Sequence, residues 1–282
     1  MTIHRRVTAA RERLREAGIS HAELDARLLA QHVLGWTTER FLTDAQSGEP
    51  DGFAQDYESV IARRATREPL AYIVGTREFW GLDFEVSPAV LIPRPSTELI
   101  VEAVLERFPE PTAPLAFADA CTGCGCVAVA LARERPSASV VATDISLEAL
   151  TVAHRNALRH HVTDRVTMRH TDLLEGVDGI FDAIVANPPY VLDDARPALQ
   201  PEVRDHEPAV ALFGGADGLG LLTRLVATAP ARLRKGGYLI CEFGFGQDLE
   251  IEEMIEVSPH LELEDLLRDL EGIARTAVAR RR

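Results

Sequence analysis

Apolar positions recur at helical spacing through the first seventy residues and at strand spacing beyond them, so a change of period divides the chain. Val7-Thr8-Ala9-Ala10-Arg11-Glu12-Arg13-Leu14 predicts a helix that stops at Gly18. A second is expected from Ser20, where Glu23 completes a capping box, through Leu24, Leu28, Leu29 and Val33 to Gly35. A third covers about Phe53 to Ala65. From Pro69 the residues turn β-rich. Ala71-Tyr72-Ile73-Val74-Gly75 and Phe79 to Val86, punctuated by Gly75 and Gly81, predict a hairpin or bridging strand pair. Leu91-Ile92-Pro93-Arg94-Pro95-Ser96-Thr97-Glu98 then makes a rigid approach to a helix from Leu99 to Phe108, capped by Ser96 or Thr97.

From residue 115 strands alternate with helices, the pattern of a doubly wound sheet. Strands are expected at Leu115 to Ala120, Ser139 to Thr143, Val166 to His170 and Phe181 to Ala186. Helices follow near Val127, over Leu147 to Arg159 and over Gly220 to Leu233. Lys235-Gly236-Gly237 reads as a tight turn into a fifth strand, Tyr238 to Phe243, and Leu261 to Leu267 and Thr276 to Ala279 supply two more.

Composition narrows the class. The 282 residues are 46% hydrophobic and 26% charged, ordinary for a soluble globular protein. The net charge of −14, from 44 acidic and 30 basic residues, disfavours broad attraction to a phosphate backbone. No apolar run approaches the roughly 20 residues of a membrane span. The N-terminus is charged and amphipathic, unlike a signal peptide, so a cytoplasmic location is the default expectation. The four cysteines do not form a disulfide framework in a chain this long.

Two stretches carry candidate chemistry. Asn187-Pro188-Pro189-Tyr190 ends a buried strand with two residues that cannot donate to a ladder, and so presents an amide, free carbonyls and an aromatic ring at a carboxyl end. Asp119-Ala120-Cys121-Thr122-Gly123-Cys124-Gly125 joins the first strand to its helix, where glycines let backbone N–H groups approach a ligand at the helix N-terminus. It lacks the spacing of a phosphate-binding loop. Asp144 ends the next strand, placed to accept both hydroxyls of a ribose. Asp172, beside Leu173, ends the third, placed to accept from an adenine amino group. Cys121, Cys124 and Cys126 also have a spacing that metals or clusters use, but no fourth ligand is evident and no metal is expected.

The arrangement resembles the class I S-adenosylmethionine methyltransferases, and Asn187-Pro188-Pro189-Tyr190 resembles that class's signature for methylating a planar nitrogen. Leu70-Ala71-Tyr72-Ile73-Val74-Gly75, Phe79-Trp80-Gly81-Leu82, Leu91-Ile92-Pro93-Arg94-Pro95, His206-Glu207-Pro208, Ala211-Leu212-Phe213-Gly214-Gly215 and Asp217-Gly218-Leu219 narrow the resemblance to the peptide-chain release factor glutamine methyltransferases. Two positions depart from that family's loop: Cys121 replaces its first glycine and Cys124 a small residue. Ser96 stands where an acid is common. A left-handed backbone at residue 121 would strain the cysteine.

The resemblance implies a seven-stranded, mostly parallel Rossmann-like α/β sheet. It implies a helical substrate-recognition domain over 1–70, a β-hairpin linker over 71–95 and an S-adenosylmethionine-dependent methyltransferase domain over 96–282. Cofactor contacts are expected from Cys121, Thr122, Gly123, Cys124, Gly125, Asp144, Asp172, Leu173 and Asn187. Asn187, Pro188, Pro189 and Tyr190 are expected to bind the substrate amide, with Asn187, Pro188 and Tyr190 catalytic. The implied partners are class-1 release factors, the implied state a monomer without direct nucleic-acid binding. Two other readings stay open: a paralogue methylating another protein or a small molecule, and an adenine methyltransferase acting on a flipped base.

Overall fold

The computed structural model describes residues 1–282 and divides into two compact units. One comprises Met1–Thr76 with Gln200–His206, the other Arg77–Leu199 with Glu207–Arg282. No helix is long and apolar enough to cross a membrane.

The first unit holds α1 (Ile3–Glu16), α2 (Ala22–Leu34), α3 (Thr38–Asp44), α4 (Phe53–Ala65) and α5 (Leu70–Val74). Their apolar faces close over Ile3, Leu14, Leu29, Tyr57 and Ile61, all buried. The Tyr57 hydroxyl donates to the Ala26 carbonyl at 2.8 Å, which satisfies the one polar atom that ring brings inside. Arg64 is buried yet paired, donating to Asp25 at 2.7 Å and to Glu202 at 3.1 Å. Those bonds tie the short segment Gln200–His206 into this unit.

Three expectations are corrected here. Ser20 does not cap α2: the helix starts after His21 without a side-chain cap, because burial of Ile19 and Ala22 sets the entry and leaves Ser20 exposed. Residues 38–44 form a helix that was not expected, capped by Thr37. Residues 70–74 are one helical turn, not a strand. Pro69 presets φ at −55°, Gly75 closes the turn in the left-handed region, and the short apolar run has no length to declare its period.

In the second unit β1 (Thr76–Phe79) and β2 (Leu82–Glu85) form the expected hairpin, turning through Trp80 and Gly81. Chain order continues with α6 (Glu98–Arg107), β3 (Ala116–Ala120), α7 (Cys126–Glu134), β4 (Ser139–Asp144), α8 (Leu147–Arg159), β5 (Val166–His170) and β6 (Phe181–Ala186). After the short α9 (Pro201–His206), which belongs to the first unit, come α10 (Gly220–Thr228), β7 (Leu233–Glu242), α11 (Asp248–Glu256), β8 (Leu261–Arg268) and β9 (Ala274–Arg281). The seven-stranded sheet has the order β5-β4-β3-β6-β7-β9-β8, and only β9 runs against the rest. Its central strands are apolar on both faces, as a sheet covered by helices requires. Lys235-Gly236-Gly237 does not turn into β7 but lies within it as an irregularity, where the partners of β6 jump from Leu233 to Tyr238.

β3 pairs β4 on one side and β6 on the other, so the strand order reverses between β3 and β6. The carboxyl end of that junction is where an open α/β sheet leaves its crevice.

Candidate active site

Register alone assembles the crevice. Ala120 lies opposite Ala186, so Cys121 and Asn187, the next residues of two neighbouring strands, emerge side by side. Ala120 also pairs Thr143, which brings Asp144 to the same rim, and Ala186 pairs Cys241, which sets Asn187 beside Glu242.

The loop from β3 to α7 is tied down from within. Asp119, buried, accepts from the Thr122 hydroxyl at 2.6 Å and the Ala128 N–H at 3.1 Å. Burial nevertheless pushes its carboxyl up to about 7, against those two hydrogen bonds. Cys121 sits at φ 61°, in the region glycine prefers, and its thiol borders the cavity. Burial and the charges of Asp144, Asp119 and Asp172 push that thiol up. Gly125 caps α7 at φ 80°, and a Cβ there would meet Ala153 of α8 at 3.0 Å. It does not border the cavity.

The cavity holds about 310 Å³, bordered by the β3–α7 loop, Asp144-Ile145-Ser146, Asp172-Leu173, Asn187 and Pro189. The Asp144 carboxylate accepts the Gly123 N–H and the Ser146 N–H, each at 2.9 Å, one on each oxygen. The carboxylate keeps acceptor capacity for a vicinal diol. Burial raises its pKa, with the three backbone donors of Gly123, Ser146 and Ile145 acting against it. Asp172 gives Oδ2 to Arg224 at 2.9 Å and keeps Oδ1. Ile145, largely exposed, and Leu173 offer apolar surface beside these two acids. A paired acceptor, a second acid and flanking apolar side chains fit an adenosine group.

Asn187 is held by a chain of hydrogen bonds. Its Nδ2 donates to Thr97 Oγ1 at 3.0 Å, and Thr97 donates to Glu242 Oε2 at 2.7 Å. The Tyr190 hydroxyl donates to Glu242 Oε1 at 2.9 Å. Glu242 is fully buried, and burial raises its pKa against the Thr97 and Tyr190 hydroxyls and the charges of Arg275 and Arg94. The tetrapeptide's backbone is clamped as well. Gln247 donates to the Tyr190 carbonyl at 3.1 Å, and Gly218, at φ 71°, lies so close that a Cβ would overlap that carbonyl.

The expected site residues therefore divide. Cys121, Thr122, Gly123, Cys124, Asp144, Asp172, Leu173, Asn187 and Pro189 share one cavity, whereas Gly125, Pro188 and Tyr190 do not border it. Thr97 is corrected from helix cap to the partner of Asn187 and Glu242, since the chain enters α6 through a 3-10 turn with no side-chain cap. Glu242 is a further residue of the site, and its signal in the sequence is an acid closing the buried run 239–241. No group of three or more His, Cys, Asp or Glu side chains is arranged to hold a metal ion.

Family models described as PrmC N-terminal domain and methyltransferase small domain match residues 7–75 and 96–200. A release factor glutamine methyltransferase of Geobacter sulfurreducens is 44% identical over 87% of this chain and 85% of its own. One from Moorella thermoacetica is 40% identical over 100% of this chain and 99% of its own. The solved T. thermophilus 16S rRNA N2 G1207 methyltransferase, in complex with AdoMet and guanosine, is 22% identical with a TM-score of 0.52, over 73% of this chain and 50% of that one. That likeness is one of fold.

Proposed function

The chain belongs to the release factor glutamine methyltransferases, and from that premise we propose that it methylates the side-chain amide nitrogen of the glutamine in the Gly-Gly-Gln motif of class-1 release factors. The observation that carries the reading at this site is Asn187, whose amide is anchored through Nδ2 while the side chain borders the cavity. Its Oδ1 is thereby left to accept from a guest.

S-adenosylmethionine, the cofactor, supplies when bound a methyl group on a positively charged sulfur. The chain supplies position. Asp144 accepts the ribose hydroxyls, the free oxygen of Asp172 accepts from the adenine amino group, and Thr122, Gly123, Cys124 and Leu173 border that ligand. A carboxamide nitrogen is a weak nucleophile because its lone pair is delocalised into the carbonyl. Asn187 Oδ1 and the Pro188 carbonyl each accept one N–H of the substrate amide, which holds the nitrogen and turns its lone pair toward the cavity. Pro189 keeps this backbone rigid, and the Tyr190 ring flanks the amide from its anchorage on Glu242. No strong base is needed, since the nitrogen becomes acidic once methylated. Rate then comes from orientation and preset dipoles.

The helical residues 1–70 serve substrate recognition, 71–95 link, and 96–282 carry the chemistry. A monomer acting in the cytoplasm, without direct nucleic-acid contact, suits a protein substrate and a net charge of −14.

The test follows transfer of labelled methyl to a purified release factor, together with calorimetry of cofactor binding. Asn187→Ala is expected to lose at least about a hundredfold in turnover with cofactor affinity nearly unchanged. Asp144→Ala is expected to weaken the cofactor about tenfold or more, on the scale of lost charge-assisted hydrogen bonds. Near-normal transfer by Asn187→Ala would sink the mechanism, and unchanged affinity in Asp144→Ala would remove the ribose from its place.

A further inference from the structure

We propose that Glu242, acting through Thr97, decides which way round the Asn187 amide lies, and so makes Asn187 an acceptor toward the substrate; this rests on the glutamine-methylating reading of the same site. Glu242 is a positioning residue, because it touches neither ligand cavity nor substrate amide and works through Thr97.

Glu242 ends β7 with no solvent exposure, and its oxygens have separate partners, Thr97 Oγ1 at 2.7 Å and the Tyr190 hydroxyl at 2.9 Å. Thr97 Oγ1 and the Tyr190 hydroxyl each donate to their own carboxylate oxygen, so both hydroxyls spend their single proton on Glu242. Thr97 then has only lone pairs left for Asn187, 3.0 Å away. Only the NH₂ end of the asparagine can meet a lone pair, and Oδ1 is turned away from Thr97. A substrate amide brings two N–H donors. An asparagine lying the other way would set donor against donor and lose the bond that orients the nucleophile. Without the carboxylate, Thr97 is free to donate to Asn187 Oδ1, and the amide loses its reason to lie one way.

The layout gives the same assignment. Ala186 pairs Cys241, so the acid arrives next to Asn187 by sheet register. Thr97 closes the 3-10 turn that follows Arg94 and stands at the N-terminus of α6, yet its side chain makes no cap hydrogen bond there and is spent on Glu242. The nearby arginines are engaged elsewhere, Arg94 on Glu207 at 2.6 Å and Arg275 on Asp269 at 3.1 Å. Neither forms a salt bridge with Glu242.

Thr97→Val removes the hydroxyl at constant shape, Thr97→Ser keeps it, and Glu242→Leu removes the acceptor. Each is assayed with purified release factor and by cofactor calorimetry. Thr97→Val and Glu242→Leu are expected to lose roughly tenfold or more in kcat with cofactor Kd within about twofold, and Thr97→Ser to recover most of the rate. Combined with Asn187→Ala, Thr97→Val should cost nothing further, since both act on one bond. The relay is also read without turnover. The Asn187 side-chain amide NMR signals, identified by their loss in Asn187→Ala, should move in Thr97→Val and stay in Thr97→Ser.

Should Glu242→Leu fail to fold, the Val and Ser pair at 97 still decides. Full kcat in Thr97→Val, a loss confined to cofactor affinity, additive losses in the double variant, or unmoved Asn187 signals would each overturn the relay. Failure of the wild-type chain to methylate a release factor would instead overturn the functional reading, and the Asn187 signals would still judge the relay.

Discussion

At the scale of single residues, two of the five left-handed non-glycine residues, Cys121 and Leu173, border the cavity. Cys121 holds a left-handed backbone that costs a side-chain-bearing residue about 1 kcal/mol or more. Alanine at 121 loses the sulfur contacts and keeps the strain, whereas glycine loses the contacts and relieves it. Cys121→Gly is therefore expected to be more stable than Cys121→Ala by about 1 kcal/mol in denaturant unfolding. The reverse order would mean the loop is not strained at this position. Asp119 makes a second residue-level prediction. Its carboxyl is pushed up to about 7 from an ordinary 3.8. Between about pH 4 and pH 7 the folded chain holds a proton that the unfolded chain has lost, so the group's contribution is present at low pH and lost as pH rises through 7. The unfolding midpoint of the wild type relative to Asp119→Asn should thus fall from about pH 5 to pH 7.5 in cofactor-free protein. A flat difference would show the carboxylate to be ionised throughout. Asp144 and Asp172 stand out in the sequence because, with the glycine-bearing loop after β3, they close three successive strands, and the structure sets all three features on one cavity. Glu242 does not stand out, because its meaning depends on Thr97 and Asn187, residues 145 and 55 positions away, which only the register of β6 and β7 and the turn before α6 bring together.

Elements place these residues, and their legibility tracked their length and edges. β6 and α8 lie where their hydrophobic runs place them, each with a clear boundary: two prolines soon after Ala186, and a serine cap at 146 that accepts the Ala149 N–H at 3.1 Å. The turn at 70–74 is ambiguous in the sequence because five apolar residues between a proline and a glycine satisfy either period. α11 went unread, its two buried isoleucines, Ile251 and Ile255, being too few to stand out among acids. The motif Asp217-Gly218-Leu219 was legible as a pattern but not as a cause. Its glycine packs on the Tyr190 carbonyl, so it holds the element after β6 in place from outside. Gly218→Ala is expected to lose roughly tenfold or more in turnover by displacing the tetrapeptide, with cofactor affinity much less changed. Equal losses in both measurements would place the damage in the fold rather than in the tetrapeptide.

On the scale of the molecule, two units share the work: a helical unit built on its own core, and a sheet whose switch point carries the cavity. The excess of acids, 44 against 30 basic residues, disfavours a broad phosphate-binding surface. The fold followed from period and punctuation, and the choice of guest followed from residues spread over most of the chain. The most direct test of that choice is tandem mass spectrometry of a purified class-1 release factor after incubation with this protein and S-adenosylmethionine. One methyl group on the side-chain nitrogen of the Gly-Gly-Gln glutamine, absent with Asn187→Ala, is the result predicted. An unmodified glutamine beside a methylated nucleic acid, small molecule or other protein would contradict it.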